Sequence, residues 1–219
     1  MAALSGKVAR IRQTAAGATN STNEAATLST DLVTLTIDST AKRHWDSNST
    51  KPRVYTSTST GTALSTTRFT VNYTQGKVVF KTAMSSTKTY KVDVDYLVSS
   101  YMTGGRNWSL DVETEPLDVT TFSTGASNTA WRSHKAGLQK WTARIDRLIS
   151  TGSTGPFGYD RINAGSSNLI VELVVSGTGQ EKYEGRCRIR MDGLADDIGG
   201  LHTEGLELEG NGPLYYSTL

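Results

Sequence analysis

Two runs of alternating charge are where chemistry would first be sought in this chain. In WSLDVETE, which starts at Trp108, the carboxylates Asp111, Glu113 and Glu115 alternate with Trp108, Leu110 and Val112. In EKYEGRCRIRM, which starts at Glu181, Arg186, Arg188 and Arg190 alternate with Tyr183, Gly185, Cys187, Ile189 and Met191. Neighbouring carboxylates can share general acid and base work, and arginines can clamp an anion. Side chains at every second position of a strand share one side, however, and such a row is ordinarily a solvated face. Other catalytic patterns are weaker still. His44, His134 and His202 are scattered, and none stands at Cys/His zinc spacing. Ser133-His134 lies in a polar stretch without a GxSxG elbow. Gly177-Thr178-Gly179 lacks the third glycine and the helix of a dinucleotide fingerprint. Cys187 falls on the apolar side of its run and reads as a small core residue. The sequons at Asn20, Asn48, Asn72 and Asn107 are chance matches in a Ser/Thr-rich chain. These residues predict no enzyme, no cofactor and no metal.

The elements that carry the stripes are strands. The chain has 219 residues, a net charge of +2 and one cysteine. That length suffices for one large or two small domains. The charge balance shows no basic excess of the kind a nucleic-acid binder carries. A lone cysteine forms no internal disulfide, and MAALSGKVARIRQ contains no long apolar run, so a cytosol-like setting without a membrane span is expected. Abundant Ser and Thr, frequent Gly and the lack of long helical stretches predict an all-β, mainly antiparallel fold with at most one short helix. A disordered chain is excluded by recurring alternation of Val, Ile, Tyr and Trp.

In chain order, Lys7–Gln13 reads as a first strand and Thr14–Thr30 as a loop without a period. Leu32–Ile37 is a strand, after which Asp38 is placed to cap one helical turn that carries Trp45 inward. A turn at Ser47–Pro52 leads to a short strand at Arg53–Thr56 and an exposed tip at Ser57–Leu64. Thr67–Tyr73 and Lys77–Lys81 form a hairpin in which Gly76 supplies the positive φ. In Thr89–Leu97, Tyr90, Val92, Val94 and Tyr96 face in, while Lys91, Asp93 and Asp95 face out. Met102–Gly105 reads as a hinge. The strand from Trp108 is followed by a polar connector, Thr121 to Gln139, and by a return strand starting at Trp141. A short helical turn is expected near Tyr159–Asn163, in a Gly- and Pro-rich stretch. Leu169–Val175 is a near-continuous apolar run and predicts a central strand covered on both faces. Glu181–Met191 is a strand, Asp192–Gly200 a loop, and EGLELEGNGPLYYSTL a strand, a break and an aromatic tail.

The run WSLDVETEPLDVTTF, followed by AGLQKWTARID, resembles the major tail tube proteins of long-tailed, siphovirus-like bacteriophages. The shared pattern is a Trp-led strand, Leu-Asp-Val-Thr-Thr-Phe, then Gly-Leu, two residues and Trp. Here it is carried by Trp108, Leu117 to Phe122, Gly137, Leu138 and Trp141. A last strand followed by Gly, Pro-Leu and Tyr-Tyr is similar too. The likeness covers residues 104–219 well, the first strand weakly and 20–102 loosely. Family members often carry a helix after the return strand, where this chain offers only a short one. The division it implies is a first tube strand at 1–19, an additional, inserted β-rich module at 20–102, and a tube-forming β-sandwich at 103–219.

The resemblance implies a structural virion protein that forms hexameric rings stacked into a hollow tube, the conduit for genome DNA. Rings close by cyclic symmetry, whereas the heterologous stacking contact propagates as a filament. Implied partners are other copies of the chain, the tape measure, tail terminator and distal tail proteins, and double-stranded DNA in transit; no membrane is involved. The implied location is the virion tail, after assembly in the host cytoplasm. An acidic wall repels phosphates, which assigns Asp111 and Glu113 to the lumen, with Glu115 beside them. The connector residues Thr121, Phe122, Trp131, Arg132 and His134 are candidates for ring stacking, and Arg186, Arg188 and Arg190 for contacts between subunits or for pairing with the carboxylates. Two other readings stand: a monomeric β-sandwich binding module of carbohydrate-binding or adhesin type, and a tail terminator or hub built on the same fold.

Overall fold

Eleven strands make up the regular structure in the computed structural model, which describes residues 10–56, 61–101, 105–118, 134–149, 169–175, 181–196 and 202–218. They are β1 (Arg10–Leu28), β2 (Thr34–Ile37), β3 (Arg53–Thr56), β4 (Phe69–Asn72), β5 (Lys77–Phe80), β6 (Tyr90–Tyr101), β7 (Gly105–Asp118), β8 (His134–Ile149), β9 (Leu169–Val174), β10 (Glu181–Asp196) and β11 (His202–Thr218). The only helical elements among the described residues are 3-10 turns at Thr40–Lys42 and Thr66–Arg68. The fold is all-β and antiparallel, as composition predicts. One hydrogen-bonded path runs β4-β5-β2-β1-β9-β10-β11-β8-β7, with β6 beside β1 and β3 beside β6.

Two cores lie along this path. Leu35, Ile37, Trp45, Val54, Phe69, Val78, Phe80, Tyr90, Val92 and Val94 form one, between the early strands. Trp141, Ala143, Ile145, Leu169, Val171, Leu173, Cys187, Leu206 and Leu208 form the other, on one face of β8 to β11. Strand β1 serves both. Its residues Arg10–Gln13 pair with β9 and Ala26–Leu28 with β2, while β6 pairs with it from Arg12 to Ala26. Just beyond the β9 pairing, buried Thr14 accepts the Ile170 amide at 3.0 Å through its hydroxyl.

Several sequence expectations are corrected here. Thr14–Thr30 is not a loop, because β1 runs on to Leu28. Register shifts between Thr14 and Ala18 and between Ser21 and Glu24 break the alternation, so no period of two is visible in the sequence. The Thr40–Lys42 turn is preceded by Ser39 rather than Asp38, and no side chain caps it, although Trp45 is buried as expected. Asp93, expected to face out, is 8% exposed and accepts the Asn23 amide at 2.7 Å. The bulge in β1 turns that amide toward the carboxylate. Asp192 to Asp196 belong to β10, whose pairing with β11 holds them extended. The Gly-Asn-Gly-Pro break does not end the last strand. Residues 211–213 are looped out of β11 opposite Arg186, and pairing resumes at Leu214.

Other expectations hold. β3 has the predicted bounds, and Gly76 turns the β4–β5 hairpin with φ of 63°. β9 is central, between β1 and β10, and is buried from Leu169 to Leu173. Residues 102–104, the Gly177-Thr178-Gly179 turn and the expected helical turn near Tyr159–Asn163 lie outside the described residues.

Candidate functional site

Trp141 anchors the stretch that carries the family pattern. Its indole nitrogen donates to the Gly212 carbonyl at 2.9 Å. The ring lies against Gly185 and Gly210, where a Cβ would come within 2.5 and 2.4 Å of it. Two glycines on β10 and β11 thus make the slot that seats the tryptophan. The looped-out residues 211–213 provide its hydrogen-bond acceptor.

Beyond Trp141 the β7–β8 ribbon leaves the sheet. β11 accompanies β8 only as far as Thr142. β7 and β8 continue together through Glu113↔Lys140 and Thr114↔Gln139, shift register, and pair again from Pro116↔Ala136 to Asp118↔His134. Six residues of strand reach about 20 Å. At the shift, a Cβ on Gly137 would sit 2.3 Å from the Glu115 carbonyl oxygen, so glycine is required there. Along this arm Val112 is 53%, Leu117 55% and Leu138 81% exposed. The return strand therefore begins at His134 and not at Trp141. Residues 134–140 show no apolar alternation, their one large apolar side chain being the exposed Leu138, and that erased the strand signal. Of the stacking candidates, His134 opens β8, whereas Thr121, Phe122, Trp131 and Arg132 lie outside the described residues.

The charged stripes share one face. Asp111, Glu113 and Glu115 are exposed. On the face turned away from Leu206, Leu208, Ala143 and Ile145, Arg188 is registered with Glu209 and Arg190 with Glu207. Glu207 has Arg144 on its other side, and Glu113 is opposite Lys140. The arginines thus stand against β11 glutamates, and the β7 carboxylates form one border of a lattice of both signs.

Arg186 has a different setting from Arg188 and Arg190. It reaches into the early-strand core region, donating to the Trp45 carbonyl at 2.6 Å and to Ser47 Oγ, with its guanidinium 5.5 Å from the centre of the Tyr73 ring. Burial lowers its pKa, and the charge of Asp46 opposes that shift.

Beside Arg186 the same polar face is sealed by a buried ionic cluster. His44 Nε2 lies 2.5 Å from Glu172 Oε1, and His44 Nδ1 donates to the Thr74 carbonyl at 2.8 Å. Lys182 Nζ stands 3.0 Å from Glu172 and 2.8 Å from Glu184. Gln75 donates to Glu184 at 3.1 Å. All four ionisable groups are less than 8% exposed. Burial pushes the Glu172 carboxyl up, but His44 and Lys182 outweigh it and bring it down to about 2. His44, Glu172 and Glu184 have the donor types of a metal site, with ligand atoms within 4.8 Å of one another. The Lys182 ammonium already touches both carboxylates and does the neutralising there. Sequence reading missed this cluster. The available signal was Glu172, the single polar residue of LIVELVV, which in a strand buried on both faces demands a partner.

Cys187 is fully buried, and burial raises its pKa. A thiol so held is a poor nucleophile.

The class this fold defines is an antiparallel all-β protein. No protein-family model matches the chain, and no curated protein matches it. Among the solved structures it is similar to are two chains of gene transfer agent (GTA) particles. One is a chain of the virion of a native GTA particle, with 16% identity and a TM-score of 0.44 over 54% of this chain and 88% of that one. The other is a chain of the tail of an empty GTA particle with C6 symmetry, with 18% identity and a TM-score of 0.45 over 55% and 87%.

Proposed function

We propose that this chain is a structural tail-tube protein that assembles with copies of itself into stacked rings around a DNA conduit. The observation that carries the reading is the β7–β8 arm. A two-stranded ribbon with water on both sides is marginal at best, and this one adds three exposed apolar side chains. A second surface is what makes such an arm stable. The sequence pattern that resembles tail tube proteins, Leu117 to Phe122 and Gly137-Leu138, falls on this arm and on the residues between its strands.

The outer edge of β7 supports the same reading. Among the described residues β7 ends the strand path, so no described strand pairs with the far side of its 14 residues. A monomer blunts such an edge, whereas a ring pairs it with the next copy. The exposed face of β7, β8, β11 and β10 lines the lumen in this proposal. Its interleaved signs, with Asp111 and Glu113 at one border, offer phosphates no continuous basic surface on which to condense. Arg188 and Arg190 lie on this same face opposite Glu209 and Glu207, where they balance its carboxylates rather than reach a neighbouring subunit, and Arg186 is engaged within its own chain. The early strands, with their separate core, form an inserted module beside the tube-forming sheet.

Negative-stain microscopy of the purified protein tests the proposal. Filaments or stacked rings are expected. Single rings that never stack favour a terminator, and a monodisperse monomer at high concentration overturns self-assembly.

A further inference from the structure

Where the early strands meet the end of β11, a cleft of about 100 Å³ opens beside the buried ionic cluster. Its lining includes Arg43, Gln75 and Lys77 from one side and Lys182, Glu184 and Ser217 from the other. The one carboxylate is already engaged, by Lys182 at 2.8 Å and by Gln75 at 3.1 Å. What the cleft has left is donors. Arg43 Nε and Ser217 Oγ are both buried without a hydrogen-bond partner, two of the few such atoms among the described residues, and both belong to this cleft. No ion pair is found for Arg43 or Lys77 among the described residues.

Buried donors without acceptors are rare in folded proteins and usually mark a missing water or ion. Here they coincide with uncompensated positive charge. A water would satisfy the donors and leave the charge, whereas an anion meets both demands. Guanidinium, ammonium and hydroxyl groups lining one cleft are the donor types that hold tetrahedral oxyanions. We propose that this cleft binds a small inorganic oxyanion of the phosphate or sulfate class. A volume of about 100 Å³ is on the scale of one such ion. Because its donors come from both sides of the junction, the ion braces the early strands against the long sheet. The inference does not depend on whether the chain forms rings.

The probe is inorganic phosphate, titrated to 10 mM against sodium chloride at matched ionic strength, with thermal unfolding as the readout. A ligand that binds only the folded state raises the midpoint with the logarithm of its concentration, by about 3 °C or more at ten times its Kd. Wild type is expected to show this rise, and the double variant Arg43→Gln/Lys77→Gln to lose it. Equal responses in the two proteins would mean only the general salting effect of phosphate and would overturn the site. Should the double variant not fold, 31P linewidths of phosphate with wild type decide instead. Broadening that sulfate reverses is expected, and an unbroadened line overturns the proposal.

Discussion

Four side chains govern the junction. His44 faces the Thr74 carbonyl with one ring nitrogen and the Glu172 carboxylate with the other. Lys182 completes the neutralisation of Glu172 and Glu184. Removing one partner from a buried ionic group leaves its opposite uncompensated, at a cost of about 3–5 kcal/mol. Lys182→Met is expected to lower unfolding stability by that order in urea titrations. The pH dependence follows from Glu172, whose folded value of about 2 lies below its ordinary 4.5. A depressed carboxyl stabilises fully above the unfolded value and loses that contribution as pH falls from about 4.5 to about 2. Glu172→Gln should flatten this acid limb in stability curves measured between pH 6 and pH 2. A limb of unchanged slope would assign it to other carboxylates. At the other core, Gly210→Ala drives a methyl into the Trp141 ring, and overpacking of this kind costs about 1–3 kcal/mol.

At the scale of elements, the arm is the informative piece. Alternation in Trp108 to Thr114 was legible because Trp108 and Leu110 pack on the second core. The same strand continues to Asp118 without any such signal, since Val112 and Leu117 are exposed and belong to neither core. The bulge at Gly137 is a backbone demand. Gly137→Val should break pairing beyond Glu113, visible as faster amide exchange at residues 134–140 while residues 142–147 stay protected. β1 was legible at its start, within the expected Lys7–Gln13 strand, and illegible beyond Gln13 for a related reason. Its strand character rests on partners on both edges and not on apolar side chains, and its two register shifts destroy the period.

For the whole molecule the question is what the arm and the open edge meet. Leu138→Asp places a charge at the most exposed large apolar side chain among the described residues and is expected to leave a folded, soluble protein that no longer stacks. Deletion of residues 124–130 should do the same. Tubes of normal length from either variant, seen in the microscope, would remove the arm from the stacking contact. Charge reversal at Asp111 and Glu113 is expected to spare assembly and slow DNA delivery in an infection assay; failed assembly would place them at an interface. Limited proteolysis addresses the inserted module. A protected fragment spanning the early strands is expected, and even cutting through 20–102 would argue against a separate unit.

By itself the sequence determined the fold class, the central place of β9, the β4–β5 hairpin and the pattern around Trp141. Each of these is local, set by side-chain alternation, turn chemistry or spacing along the chain. The tertiary structure alone decided which polar faces are dry. Glu172, Lys182 and Glu184 stand on the same side of the sheet as Arg188 and Arg190, yet the first group is buried and the second exposed. The difference is that residues 44–47 and 72–76 fold over one half of that face, and such a contact between distant segments leaves no period in the sequence.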